Sequence, residues 1–261
     1  MIVRTHRGQL LLVRQTDHQT LSGRLADAWG NGRFARPEPF APLILAAAEH
    51  DNGWRDWEDA PKVDPATRLP YQFTDVPTEE HLAFYRRGID GVAARDAHAG
   101  LLVNLHCQGF HNQRFGTLPE AVMKAPPAGT EAAVRTALAA LQAQERVLAE
   151  QVPLGLPTLW AQYKLLQVYD RLSLYLCMPP LKPAKLRAVP AGPDGATVEL
   201  ALNPGGESVV VVAPYPFAGA PLQVEVPGRL IPYRPYESDE DLRAELARAE
   251  AVTLGYELRA G

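Results

Sequence analysis

The sequence predicts a mainly α fold, a helical domain over residues 15–180 joined to a small β-rich module of residues 181–261 and the N-terminal strands 1–14. Apolar residues recur every three or four positions through most of 15–180, the spacing of one helix face. After Pro180 the pattern changes to short β-prone runs between Pro/Gly turns. With 261 residues, 46% hydrophobic and 21% charged, the chain has an ordinary globular composition and can bury a large core.

Ile2 to Thr5 and Gln9 to Arg14 read as a hairpin turning at Arg7-Gly8. Asp17 offers an N-cap for a helix from His18 to Trp29, stopped by Gly30 and Gly32. Phe40 to Asp51 reads as a second helix, with Pro42 in its first turn and Asn52-Gly53 at its end. Trp54 to Val76 is polar and proline-punctuated, the composition of a long surface loop. Thr78, Glu79 and Glu80 open a helix to Ile89, and Arg95 to His106 reads as a strongly apolar one. An irregular stretch from Gln108 to Gly129 precedes a helix capped by Thr130 and running to Gln151. Pro157-Thr158 opens another, ending before Pro179-Pro180. Strands follow at Thr197–Leu202, Ser208–Val212, Leu222–Val226 and Leu230–Tyr233, then a charged helix from Ser238 to Glu250 and a strand from Val252 to Leu258.

The net charge of −4, with no basic block, argues against nucleic acid or an anionic membrane as partner. Cys107 and Cys177 make neither a disulfide framework nor a CxxC site, which reads as a reduced, cytoplasmic compartment. Arg4, His6, Arg7 and Arg14 break up the apolar start, so no signal peptide or membrane span is expected.

Chemistry enters where polar residues fall on apolar faces. Asp170 lies in the series Leu159, Tyr163, Leu166, Asp170, Leu174, Cys177, each step three or four residues. His18 shares its register with Leu21, Leu25 and Trp29, and His50-Asp51 follows the inward positions Leu43, Ile44, Ala46 and Ala47. His106 continues a stripe through Leu102. A His-Asp pair alone is weak evidence, and a single core histidine is more often satisfied by its neighbours than by an ion. An ionised carboxylate in a core, however, costs several kcal/mol unless it is paired or bound to a cation. Imidazole and carboxylate together suit Zn, Mn or Fe, so His18, His50, Asp51 and Asp170 are the candidate ligands of a shared divalent ion.

The order His18, His50-Asp51, Asp170 resembles the H…HD…D signature of the HD-domain metal-dependent phosphohydrolase superfamily. The wider frame, HQTLSGRLADAWG, AAAEHDNGW, LLVNLHCQGF and QYKLLQVYDRLSLYLC, is similar to an uncharacterised bacterial family of HD-like proteins. The resemblance implies an all-α core in which the four residues hold a divalent cation. Members with a second metal add histidines between the HD pair and the last Asp; His81, His98 and His106 are available, with His106 favoured because His81 lies in a charged, exposed-looking stretch.

A cation at such a site lowers the pKa of its water from about 16 towards about 7 and polarises a phosphoryl oxygen. The expectation is therefore hydrolysis of a small phosphorylated metabolite or nucleotide. Asp51 would orient the water, and Arg24, Lys164 or Arg114 would contact the phosphate. Trp54 and Trp57 could stack a base, although anchoring the loop that follows them is the simpler role. Two alternatives stand beside it: a diiron oxygenase like the HD-type relatives of myo-inositol oxygenase, and a non-catalytic, metal-stabilised binding module. The β-rich part could be a lid, a homodimer interface or a brace.

Overall fold

In a computed structural model, residues 1–112, 127–192 and 196–261 are described. Two strands open the chain, β1 (Ile2–His6) and β2 (Gln9–Val13). Arg7 and Gly8 both take positive φ, the two-residue turn whose twist matches a hairpin. Seven helices follow as α1 (Gln15–Ala28), α2 (Ala41–Glu49), α3 (Arg55–Asp59), α4 (Thr78–Ala93), α5 (Ala97–Asn112), α6 (Glu131–Ala149) and α7 (Leu156–Leu176). The C-terminal part holds β3 (Ala184–Pro190), β4 (Thr197–Pro204), β5 (Val209–Ala213), β6 (Leu222–Pro232), α8 (Asp239–Ala247) and β7 (Glu250–Ala260).

The mainly α expectation is overturned. The described residues are 47% helical and 23% strand, and their strands form one seven-stranded sheet curled into a half-barrel. The strand order is β1-β2-β6-β7-β5-β4-β3, antiparallel except where β5 meets β7. Two features hid its size. The runs read as Leu222–Val226 and Leu230–Tyr233 are one eleven-residue strand, continuous through Pro227 and Gly228. Pro227 falls beyond the ladder with β2, which covers only Arg229 to Pro232, so its missing N–H does not interrupt that pairing. The second feature is β3, where a bulge between Leu186 and Val189, with Ala188 at positive φ, breaks the alternation after Lys185, Leu186 and Arg187.

One apolar cluster runs through both parts of the chain. Leu21 and Leu25 of α1 and Leu165, Leu166, Val168 and Leu172 of α7 pack in the same core as Leu200, Val210, Val224 and Leu258 of the sheet. The hairpin contributes Ile2, Leu11 and Val13 to it. Leu10, Leu12, Ile231 and Leu242 form a smaller core with α8. The stretch Trp54 to Val76, expected as a surface loop, instead holds α3 and buries Trp54, Trp57 and Val76 in a third cluster with Phe84, so the two tryptophans anchor that stretch to α4. Helix α5 also runs on to Asn112, into residues expected to be irregular. Among the described residues no helix is long and apolar enough to cross a membrane.

Candidate metal centre

The site begins at the start of α1. Arg14 is its N-cap and makes no side-chain cap bond, so the cap expected from Asp17 is not used. Glu58 of α3 takes that role from a distance. Its carboxylate accepts from the backbone N–H of Gln15 at 2.6 Å and of Thr16 at 3.2 Å, and from the Thr16 hydroxyl at 3.0 Å. An anion at the positive end of a helix satisfies otherwise orphaned N–H groups. The helix therefore starts at Gln15 and carries His18, fully buried, against α2 and α7.

His50 is the C-cap of α2, and Asp51 follows with φ −111° and ψ 17°, at the break before a turn of 3-10 helix. Two glutamines of α1, one turn apart, fix Asp51: Gln15 Nε2 donates to Oδ2 at 3.2 Å, and Gln19 Oε1 accepts from its backbone N–H at 2.7 Å. Asp170 projects from the middle of α7, and Ser173 lies one turn on.

These elements bring four donors together. His18 Nε2 lies 3.2 Å from Asp51 Oδ2, 3.5 Å from Asp170 Oδ1 and 3.2 Å from His50 Nε2. His50 Nε2 is 3.5 Å from both Asp51 Oδ2 and Asp170 Oδ1. The far nitrogens of both rings are already committed. His50 Nδ1 donates to the Ala47 carbonyl at 2.9 Å. Ser173 Oγ donates to the Asp170 carbonyl at 2.9 Å, which leaves it to accept from His18 Nδ1 at 2.7 Å. In their neutral forms this network assigns both imidazoles the tautomer whose Nε2 lone pair faces inward. Two lone pairs and two carboxylates at such distances repel one another unless positive charge lies between them. The electrostatics show the same demand. Burial opposes a charged His50, yet Asp51 and Asp170 outweigh it and push the imidazole up to about 9. Burial likewise opposes ionised Asp51 and Asp170, but the surrounding histidines hold both carboxyls below the usual range. The donor set fits a divalent cation.

His106 of α5 completes a second, overlapping group. Its Nε2 is 4.0 Å from Asp170 Oδ2, and its ring stands edge-on to His50 with centroids 5.2 Å apart. His18, His50 and Asp51 form one triad that could hold an ion, and His50, His106 and Asp170 another. Burial pushes the His106 imidazole down to about 4, so it is neutral and able to ligate at physiological pH.

Other expected site residues lie elsewhere. Arg24 is exposed, six residues past His18 and so turned away from its face. Lys164 holds its ammonium 5.8 Å from the centre of the Trp160 ring, one turn further from Asp170. Neither is brought to the cluster. Arg114 lies outside the described residues. His98 does not join His106: its Nε2 bonds Gln162 Oε1 at 2.6 Å, and the same Gln162 amide donates to the carbonyls of Pro37 and Pro39. His81 is packed against Trp54 and Tyr85, with centroids 5.0 and 4.6 Å away, rather than exposed.

Sequence pattern alone did not point to Gln15, Gln19, Glu58 or Ser173. The glutamines were the most findable, since they flank His18 at −3 and +1 on one helix face.

The model of a protein family of unknown function, DUF3891, matches residues 1–233. The chain belongs to the DUF3891 family. All five candidate ligands fall inside the DUF3891 match, together with the hairpin and the strands up to β6. No curated protein and no solved structure matches this DUF3891 chain.

Proposed function

We propose that the chain is a metal-dependent hydrolase of a small phosphorylated metabolite or nucleotide. The observation that carries this reading is the inward convergence of His18 Nε2, His50 Nε2, Asp51 Oδ2 and Asp170 Oδ1 within 3.5 Å contacts. Nitrogen and carboxylate oxygen donors of this kind suit Fe, Mn or Zn. Such a cation supplies Lewis acidity, bringing the pKa of water towards neutrality and polarising a phosphoryl oxygen.

The chain's own residues do the rest. Ser173 and the Ala47 carbonyl hold the two imidazoles in the ligating tautomer, and Gln15 and Gln19 hold Asp51. Asp51 Oδ2 is committed to Gln15 and the histidines, which leaves Oδ1 to accept a hydrogen bond from an attacking water and so orient it. The side chains of Asp51 and Asp170 are only 11% and 7% exposed, and in so dry a site each charge interaction is stronger than in water.

The overlapping His50, His106, Asp170 triad favours a second reading, a two-ion centre of the diiron type that oxidises a C–H bond with O₂. Elemental analysis with activity screening separates the two. The hydrolase reading expects bound Fe, Mn or Zn and phosphate release from at least one member of a panel of phosphorylated metabolites. Two irons per chain with substrate-dependent O₂ uptake selects the oxidase. Metal without either turnover leaves a metal-stabilised binding fold. Metal retained by the His50→Ala/Asp51→Ala double variant defeats the site itself.

A further inference from the structure

Three buried polar atoms have no hydrogen-bond partner among the described residues: Gln15 Oε1 and Tyr85 Oη near Asp51, and His111 Nε2 on the ring beside Tyr85. A buried donor or acceptor left unmade is costly, so three in one run from Asp51 through Tyr85 to His111 mark a missing partner. Gln15 Oε1 sits on the amide that holds Asp51. Tyr85 is brought close by a backbone crossing. A Cβ on Gly53, two residues past Asp51, would lie 2.0 Å from the Phe84 carbonyl oxygen and 3.0 Å from the Gly88 nitrogen. That contact lays the Phe84–Gly88 turn of α4 on the residues that follow the HD pair.

From there Tyr85 reaches across to α5. Its ring stacks on Phe110 at 5.7 Å and 10°, and Phe110 meets His106 edge-on at 4.8 Å. The His111 ring lies 6.1 Å from that of Tyr85. Tyr85 is 5% exposed. Burial, with Cys107, Asp51 and Asp170 nearby, raises its phenol well above the ordinary value, so the hydroxyl keeps its proton at neutral pH. It is a donor with nothing to donate to.

We propose that Tyr85 and His111 are substrate-contacting residues that hydrogen-bond the phosphoryl group beside the metal ligands, in the role that Arg24 and Lys164 do not fill. This rests on the hydrolase reading above and adds to it how the phosphoryl group is recognised: by neutral donors on α4 and α5.

Calorimetric titration of the metal-loaded protein with inorganic phosphate tests it, comparing wild type with Tyr85→Phe and His111→Gln. Each variant is expected to keep its metal content and to bind phosphate about tenfold more weakly, the worth of one hydrogen bond. Tyr85→Phe should also leave the ligand-free melting temperature unchanged or raised, because it deletes an unmade bond. Wild-type phosphate affinity in both variants overturns the assignment and leaves the hydrolase reading standing. Loss of metal in Tyr85→Phe also overturns it, since the residue then serves the ligands; should that variant not fold, His111→Gln decides alone. A metal-loaded wild type that binds no phosphate at millimolar concentration overturns both.

Discussion

His18, His50, His81, His98 and His106 share one side chain, and what each can do is set by the partner of its second nitrogen and by burial. Ser173 and the Ala47 carbonyl orient two of them as candidate ligands, and Gln162 turns His98 into a strut. His81 is neither. Burial between Trp54 and Tyr85 pushes its imidazole down to about 4. From its ordinary value down to that one, the unfolded chain takes up a proton that folded His81 refuses. Stability therefore falls as the pH falls through that window, by up to about 3 kcal/mol. Thermal melts of the metal-free protein should show this decline, and His81→Phe, which keeps a ring in place, should make it shallower, with buried His106 supplying part of what remains. A slope untouched by the substitution places the titration on other groups. The candidate ligands themselves were legible in the sequence as inward-facing residues, because an acid or imidazole on an apolar stripe has to be paired or bound to a cation. Their supports were not. Glu58 of α3 reaches the start of α1 across the whole of α2, and Ser173 is an ordinary helix serine until it accepts from His18.

At the scale of elements, glycine at one crossing decides whether the site forms. Gly53 lets α4 rest directly on the turn after Asp51, where a Cβ would meet backbone rather than a movable side chain. Gly53→Ala is therefore expected to destabilise the fold by about 1 to 3 kcal/mol, the usual cost of forcing atoms into a packed contact. It should also weaken metal retention by displacing Asp51. Urea denaturation and metal analysis of the variant check both, and an unchanged midpoint would mean that α4 moves freely. Most helices were evident from their period, whereas their ends were less so. Helix α1 begins three residues before His18 because its cap comes from α3, and α5 runs six residues past His106.

The molecule as a whole buries the candidate metal centre among helices of which α1 and α7 also pack on the sheet. Leu25 and Leu172 belong to one core with Val224 and Leu258. Helical and β-rich parts should therefore unfold together, in a single transition. Removing the metal with a chelator is expected to lower that transition by roughly 5 to 10 °C, since a ligand at a hundred times its Kd adds about 2.7 kcal/mol to the native state alone. Calorimetry showing two transitions, only one of them shifted, would contradict the shared core.

Local pattern was enough for the helices of residues 15–180 other than α3, for the opening hairpin and for the four inward-facing candidate ligands, because periodicity and the cost of buried charge both operate within a few residues of chain. Strand pairing works over far longer spans. Gln9 of β2 meets Pro232 of β6, and Val209 of β5 meets Glu257 of β7, and no local period records which strands will pair. The seven-stranded sheet, the Glu58 cap and the meeting of Tyr85 with the Asp51 turn all depend on such distant contacts. They exist only once the core has formed.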